Sequence, residues 1–302
     1  MAEGVEVFDE RFKELLLPES RLEHLADGCI WAEGPVWLPD DSVVWSDIPN
    51  NRMLRWSAAS GVETFRQPSN YSNGNTLDRQ GRLVTCEHGA RRVSRTEADG
   101  SVVTLADRYQ GGRFNSPNDL VVRPDDSIWF TDPPYGILPG TEEGYENPFE
   151  QDGCHVYRLD PASGAIARVI DDMVKPNGLA FSPDGERLYV ADTGASHDPD
   201  GPHHIRVFDV VDGVSLGEGR LFAEINPGLP DGFRFDQNGY LFTSSADSIQ
   251  VYTQAGERLG KILVPEPIAN CCFGGPQFDH LYITATTSLY VIRLNTRGVL
   301  HA

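Results

Sequence analysis

A short turn motif recurs along this chain: Glu, Asn or Asp, then Gly or Asp, then two residues leading into an apolar run. The copies read Glu33-Gly34-Pro35-Val36-Trp37, Asn73-Gly74-Asn75-Thr76-Leu77, Asn118-Asp119-Leu120-Val121-Val122, Asn177-Gly178-Leu179-Ala180-Phe181 and Asp231-Gly232-Phe233-Arg234-Phe235. A degenerate sixth copy lies at Asn270-Cys271-Cys272-Phe273, with Cys271 taken as its anchor. Anchors at 33, 73, 118, 177, 231 and 271 are separated by 40, 45, 59, 54 and 40 residues. A unit of about 40–50 residues holding four short strands is the repeat of a β-propeller, because one such unit cannot bury its own apolar face and must stack on its neighbours.

The segments between anchors support this reading. Runs rich in Val, Ile, Phe, Tyr and Trp, such as Val43–Trp45, Ile128–Thr131, Leu188–Ala191 and Leu281–Thr284, follow turns such as Pro124-Asp125-Asp126, Pro183-Asp184-Gly185 and Gln237-Asn238-Gly239. Asp-Gly and Asn-Gly between β-prone runs are hairpin turns. The expected fold is all-β, a six-bladed β-propeller with a short N-terminal helical extension. The extension occupies residues 1–20, where 9–17 carry the only helical periodicity, and the propeller catalytic domain occupies 21–302. Only about three strands fit after the sixth anchor, so residues 21–31 are expected to complete the last blade and remove its exposed edge. The two long intervals carry Gly-, Pro- and acid-rich insertions at 136–153 and 194–203.

The first strand of a propeller blade lines the central channel, so residues at the starts of these strands converge. Glu33, Asn73, Asn118, Asn177 and Asp231 are therefore expected to form a ring of oxygen donors. Each alone is also explained as a turn-forming residue whose side chain bonds its own backbone. Together, with Glu33 too large for that role, they are the donor set a hard dication prefers, and without sulfur or clustered imidazoles they disfavour zinc and copper.

Charge agrees. Lys and Arg number 25 against 45 Asp and Glu, a net charge of −20, which repels nucleic acid and anionic membranes and favours cations. No uninterrupted apolar stretch marks a leader in the first twenty residues. The five cysteines form no CxxC pair, and a cytoplasmic protein with free buried thiols is expected. No Gly-x-Ser-x-Gly elbow and no nucleotide-binding glycine loop is present. The run Asp198-Pro199-Asp200-Gly201 lacks the later glutamate of an EF-hand and reads as a solvated acidic turn.

Several motifs carry a resemblance. Ala32-Glu33-Gly34-Pro35-Val36-Trp37, Ser116-Pro117-Asn118-Asp119, Phe130-Thr131-Asp132-Pro133, Lys175-Pro176-Asn177-Gly178, Asp231-Gly232 and Phe273-Gly274-Gly275 resemble the SMP-30/gluconolactonase/luciferin-regenerating-enzyme-like family, in order, over most of the chain. The insertion beginning Pro133-Pro134-Tyr135-Gly136 is most similar to the bacterial gluconolactonases. The resemblance implies a six-bladed propeller with one divalent cation in its channel, calcium foremost, with magnesium, manganese and zinc as alternatives. It implies Glu33, Asn177 and Asp231 as ligands, and Asn118 as a residue that binds the metal or contacts substrate beside it. Arg113 resembles a family substrate-binding arginine, set two residues further from Asn118 than in relatives. His88 is expected at the channel mouth and Tyr135 in a lid, both touching substrate.

The implied reaction is hydrolysis of a sugar lactone, with the cation polarising the carbonyl. Water would be activated by the cation or deprotonated by Asp231, with Asn118 orienting the sugar. A phosphotriesterase or another lactonase on the same site is the alternative enzyme, and a non-enzymatic propeller presenting its rims to a protein partner is the alternative class. The expected partner is a small lactone, with neither nucleic acid nor membrane; a homodimer is left open.

Overall fold

The computed structural model describes residues 4–299. Six antiparallel sheets surround one axis. Blade 1 consists of Ala32–Leu38, Ser42–Asp47, Arg52–Ser57 and Gly61–Arg66, and blade 2 of Ser72–Leu77, Leu83–Glu87, Arg92–Thr96 and Val102–Ala106. Blade 3 holds Leu120–Val122, Ile128–Asp132, Cys154–Asp160 and Ala165–Met173; blade 4 holds Pro176–Phe181, Arg187–Asp192, His204–Val211 and Arg220–Glu224. Blade 5 runs through Phe233–Phe235, Leu241–Thr243, Ser248–Tyr252 and Arg258–Leu263. Blade 6 comprises Ile268–Gly274, His280–Ala285 and Ser288–Arg293, closed by Glu23–Ala26 from the start of the chain. Glu23 pairs with Val291 and His24 with Tyr290, so an early strand forms the outer strand of the last blade and the two parts of the propeller share one sheet. Among the described residues no helix is long and apolar enough to cross a membrane.

The expected N-terminal helical extension is corrected. Val5–Val7 is a strand that adds to the outer edge of blade 5, pairing Val5 with Ile262 and Val7 with Gly260. Only a six-residue 3-10 turn follows, Glu10–Leu15, begun by the Asp9 carboxylate accepting from Arg11 N at 2.9 Å. It ends at Leu16, which is extended, and Pro18 disfavours helix at the residue before it. The apolar spacing that looked helical serves docking: Phe12 and Leu15 are buried in the core shared by blades 5 and 6. Phe12 packs against Gly260, where a Cβ would collide with its ring.

Apolar residues fill the seams between blades. Trp129, Leu179, Leu188 and Phe208 pack blade 3 on blade 4, and Phe233, Leu241, Tyr189 and Ile205 pack blade 4 on blade 5. Backbone bonds link neighbouring blades at the axis in three places: Gly74 N donates to Asn118 O at 2.8 Å, Gly178 N to Asp231 O at 3.0 Å, and Gly232 N to Ala269 O at 2.7 Å. In blades 2, 4 and 5 the residue after the anchor thus donates to the next blade's anchor, whereas Gly34 N turns back to the Glu33 carboxylate and Asp119 N bonds Thr131 Oγ1. At Gly178 a Cβ would run into the Asp231 carbonyl, so only glycine permits this approach. The same register makes Ala269, not Cys271, the sixth anchor, and blade 6 contributes no side-chain oxygen there.

Candidate active site

The five polar anchors converge. Glu33, Asn73, Asn118, Asn177 and Asp231 line one cavity of about 360 Å3 at one end of the axis, within the roughly 300–1,000 Å3 range of small-molecule sites. A strand bulge lies at this level in blades 1, 2 and 4, re-aiming the side chains at the strand starts. A second cavity of about 350 Å3 opens at the other end and shares no lining residue with the first. Between them stand Asp119 and Asn270, which follow the anchors of blades 3 and 6, with Arg234 reaching up to 3.6 Å from Asp119. The channel is therefore a blind cup, with the anchors at its floor.

Two long insertions form the rim. Tyr135, at the start of the first, hydrogen bonds to Thr193 Oγ1 at 2.6 Å and Ser196 Oγ at 3.0 Å, beside the second. Trp31, Tyr135, Glu143 and His197 line both the cup and an outer basin of about 440 Å3, and so make a collar between them. Above the floor the walls differ. Asn73, Asn118, Asn177, Thr193 and Ser196 present polar groups; Trp31, Leu229, Ala246, Pro267 and Ile268 present apolar ones.

The expected ligands are presented consistently. Glu33 Oε2 accepts from Gly34 N at 2.6 Å and Asn270 Nδ2 at 3.1 Å, which fixes the carboxylate and leaves Oε1 without a protein partner among the described residues. Thr193 Oγ1 donates to Lys175 O at 3.2 Å, so its lone pairs receive Tyr135 OH and, at 3.3 Å, Asn177 Nδ2. That contact takes the nitrogen end of Asn177 and frees its oxygen. Ser244 Oγ accepts from Asp231 N at 2.7 Å and holds the last anchor's backbone.

These residues fit a divalent cation. Three carboxylates, Glu33, Glu143 and Asp231, line the cup, and among the described residues no Lys or Arg does. Burial, followed by the charge of Asp119, pushes Glu33 up to about 8, and burial, with Glu33 next in effect, holds Asp231 well above the usual carboxylate range. Two buried acids this close ionise together only with a compensating positive charge. Asn73 Oδ1 is buried without a hydrogen-bond partner. No three His, Cys, Asp or Glu side chains cluster at a metal-sized point among the described residues, so any ion held here relies on amide oxygens as well, a hard donor set.

Two expected substrate contacts lie elsewhere. Arg113 does not line the cup. It sits on the small hairpin of Arg108–Tyr109 with Gly112–Arg113, donates its backbone NH to Glu150 Oε2 at 3.0 Å, and turns its guanidinium to Ala90 O. His88 is fully buried behind the cup rather than at its mouth, between Asn73 and the first insertion. Trp31, Glu143, Thr193, Ser196 and His197 also line the cup; they lie outside the repeated motif, so no periodic signal in the sequence marks them. The acidic run at 198–201 is an exposed turn closed by Gly201 N donating to Asp198 O at 2.8 Å. All five cysteines are free.

Comparison with known proteins agrees with this architecture. The family description SMP-30/Gluconolactonase/LRE-like region matches residues 31–287. The chain is 33% identical to a gluconolactonase of Zymomonas mobilis over 96% of its length and 86% of that protein, and 30% identical to a pentonolactonase of Haloferax volcanii over 85% and 81%. A solved gluconolactonase of Xanthomonas campestris superposes with a TM-score of 0.89 at 38% identity, covering 97% of this chain and 95% of that one. With the ring, the closing strand and the matched length in agreement, the chain belongs to the SMP-30/gluconolactonase/LRE-like family.

Proposed function

We propose that this protein is a lactone hydrolase that opens a sugar lactone of the gluconolactone type to its aldonic acid, using one divalent cation, with calcium the first choice. The observation that carries the reading is the convergence of Glu33, Asn118, Asn177 and Asp231 from four blades on the floor of one blind cup. The names of the relatives, gluconolactonase and pentonolactonase, supply the substrate class.

The cup suits such a substrate. A pyranose lactone has hydroxyls at its edge and C–H groups on its faces, matching the amide wall and the wall of Trp31, Leu229, Pro267 and Ile268. Glu33, Asn177 and Asp231 hold the ion, and Asn118 borders both ion and sugar. Bound there, a dication supplies Lewis acidity that stabilises negative charge on the carbonyl oxygen as water adds. Amide ligands matter because they give oxygen without cancelling the ion's charge. Tyr135 holds the two insertions together through Thr193 and Ser196, keeping the collar over the substrate.

The test is turnover of glucono-δ-lactone and a pentonolactone, followed by acid release, before and after chelation. Hydrolysis that disappears on chelation and returns with calcium is expected. Equal rates without metal, or turnover of phosphotriesters but not lactones, would overturn the proposal.

A further inference from the structure

The first insertion delivers a third carboxylate to the cup, and the ring does not use it. Glu143 lines both the cup and the outer basin, so it lies in the collar on the path from solvent to the floor. Its carboxylate makes no hydrogen bond among the described residues; the nearest cationic candidate, His88 Nδ1, is 3.7 Å from Oε2. We propose, resting on the lactonase reading above, that Glu143 is a catalytic residue, the carboxylate that moves the proton of hydrolysis. It takes a proton from the attacking water as the new C–O bond forms. It then returns that proton to the ring oxygen as the lactone C–O bond breaks, which regenerates the carboxylate and leaves a hydroxy acid.

The placement of Glu143 is built rather than incidental. Its backbone carbonyl can only accept, so His88 Nδ1, 3.2 Å away, is the donor. That choice of tautomer makes His88 Nε2 an acceptor, and Asn73 Nδ2 supplies the proton at 3.3 Å. His88 is fully buried, and burial pulls it down to about 4, so the imidazole is neutral and acts as a fixed strut. Asn73 of blade 2 is thereby linked to the insertion, with its own Oδ1 left unpartnered. The insertion is tightened beside Glu143 by Tyr145 N donating to Gly136 O at 3.0 Å, where a Cβ on Gly144 would collide with the same carbonyl.

Chemistry separates Glu143 from its neighbours. Glu33 and Asp231 face it from the ring, but a carboxylate that holds a dication is a weak base. The Tyr135 phenol is pushed up by burial and already tied to Thr193 and Ser196. Lys175 lies over the Tyr135 ring and bonds Ser196, while His197 is exposed and bound to Ser196 Oγ at 2.9 Å. Burial raises Glu143 to about 7, where a carboxyl group both gives and takes protons near neutrality. A dication on the floor favours the charged form, so the kinetic limb is expected at or below that value.

The experiment compares the calcium-loaded protein with Glu143→Gln and Glu143→Ala. With wild type active on a sugar lactone, Glu143→Gln is expected to lose about 100-fold or more in kcat, with KM changed by less than about threefold. The acidic limb of the kcat–pH profile should vanish, and formate should restore about tenfold of the activity of Glu143→Ala by replacing the missing carboxylate. Calcium affinity by calorimetry and the melting temperature should stay near those of wild type, separating this role from a structural one. Unchanged kcat and pH profile in Glu143→Gln, a loss confined to KM, or activity lost without formate rescue would each overturn the role while leaving the lactonase reading intact. A wild-type protein that opens no lactone would overturn both.

Discussion

Asn177 Nδ2 donates to Thr193 Oγ1 at 3.3 Å, and this contact sets which end of the amide faces the cup. Thr193 accepts it because its own proton goes to Lys175 O. Replacing Thr193 with Val keeps the volume but removes the acceptor, so Asn177 is no longer held with its oxygen free. Calcium affinity measured by calorimetry is expected to fall about 10–100-fold in Thr193→Val, and to stay near wild type in Thr193→Ser. Equal affinity in all three would remove Thr193 from the site.

The ring acids should be indispensable. Glu33→Ala and Asp231→Ala each remove one of the two carboxylates at the anchors, and elemental analysis of the purified variants is expected to find no bound ion. Lactone turnover should drop to the uncatalysed rate in both. An Asp231→Ala protein that retained metal and half its activity would rule out the proposed ligand set.

The pH dependence of the metal-free protein follows from Glu33, which burial raises to about 8. A carboxyl group whose folded-state value lies above its unfolded one favours the fold when protonated. That contribution is complete below the unfolded value of about 4.3 and is lost as pH rises through the folded one. The melting temperature without metal is therefore expected to fall between about pH 5 and pH 8, with Asp231 acting in the same direction. Calcium, which favours the ionised acids, should raise the melting temperature more at the upper end of that range. An equal calcium shift at both ends would contradict the coupling.

Phe12 tests the N-terminal segment. It is fully buried where blades 5 and 6 meet, and Phe12→Ala is expected to destabilise the protein by about 3–5 kcal/mol in chemical denaturation. Because Phe12 is remote from the cup lining, kcat and calcium affinity should be unchanged in the folded variant. A loss of activity at full folding would assign the segment a role in the site.

The recurring motif settled much on its own. Stacked repeats with turn residues at their strand starts admit few architectures, and the anchors at 33, 73, 118, 177 and 231 meet because the inner strands of a closed propeller face one axis. Even the closing strand was foreseeable from how few strands remained after the sixth anchor. Local periodicity failed at residues 9–17, where Phe12 and Leu15 answer to a groove between two blades rather than to a helix of their own. It failed again at the sixth anchor, where hydrogen-bond register, not spacing, selects Ala269.

The sequence by itself determined the fold class, the ring and the chemistry of its donors, because these repeat and repetition is visible in one dimension. Tertiary structure alone decided what lies beyond the repeat. Glu143 and Trp31 reach the cup through an insertion and a closing segment that follow no period, and Arg113 is held away from it on a small hairpin with its guanidinium on Ala90 O. His88 became a buried strut because two segments 55 residues apart close over it. Contacts of that kind depend on how loops cross in space, and a loop's path is set by what it packs against.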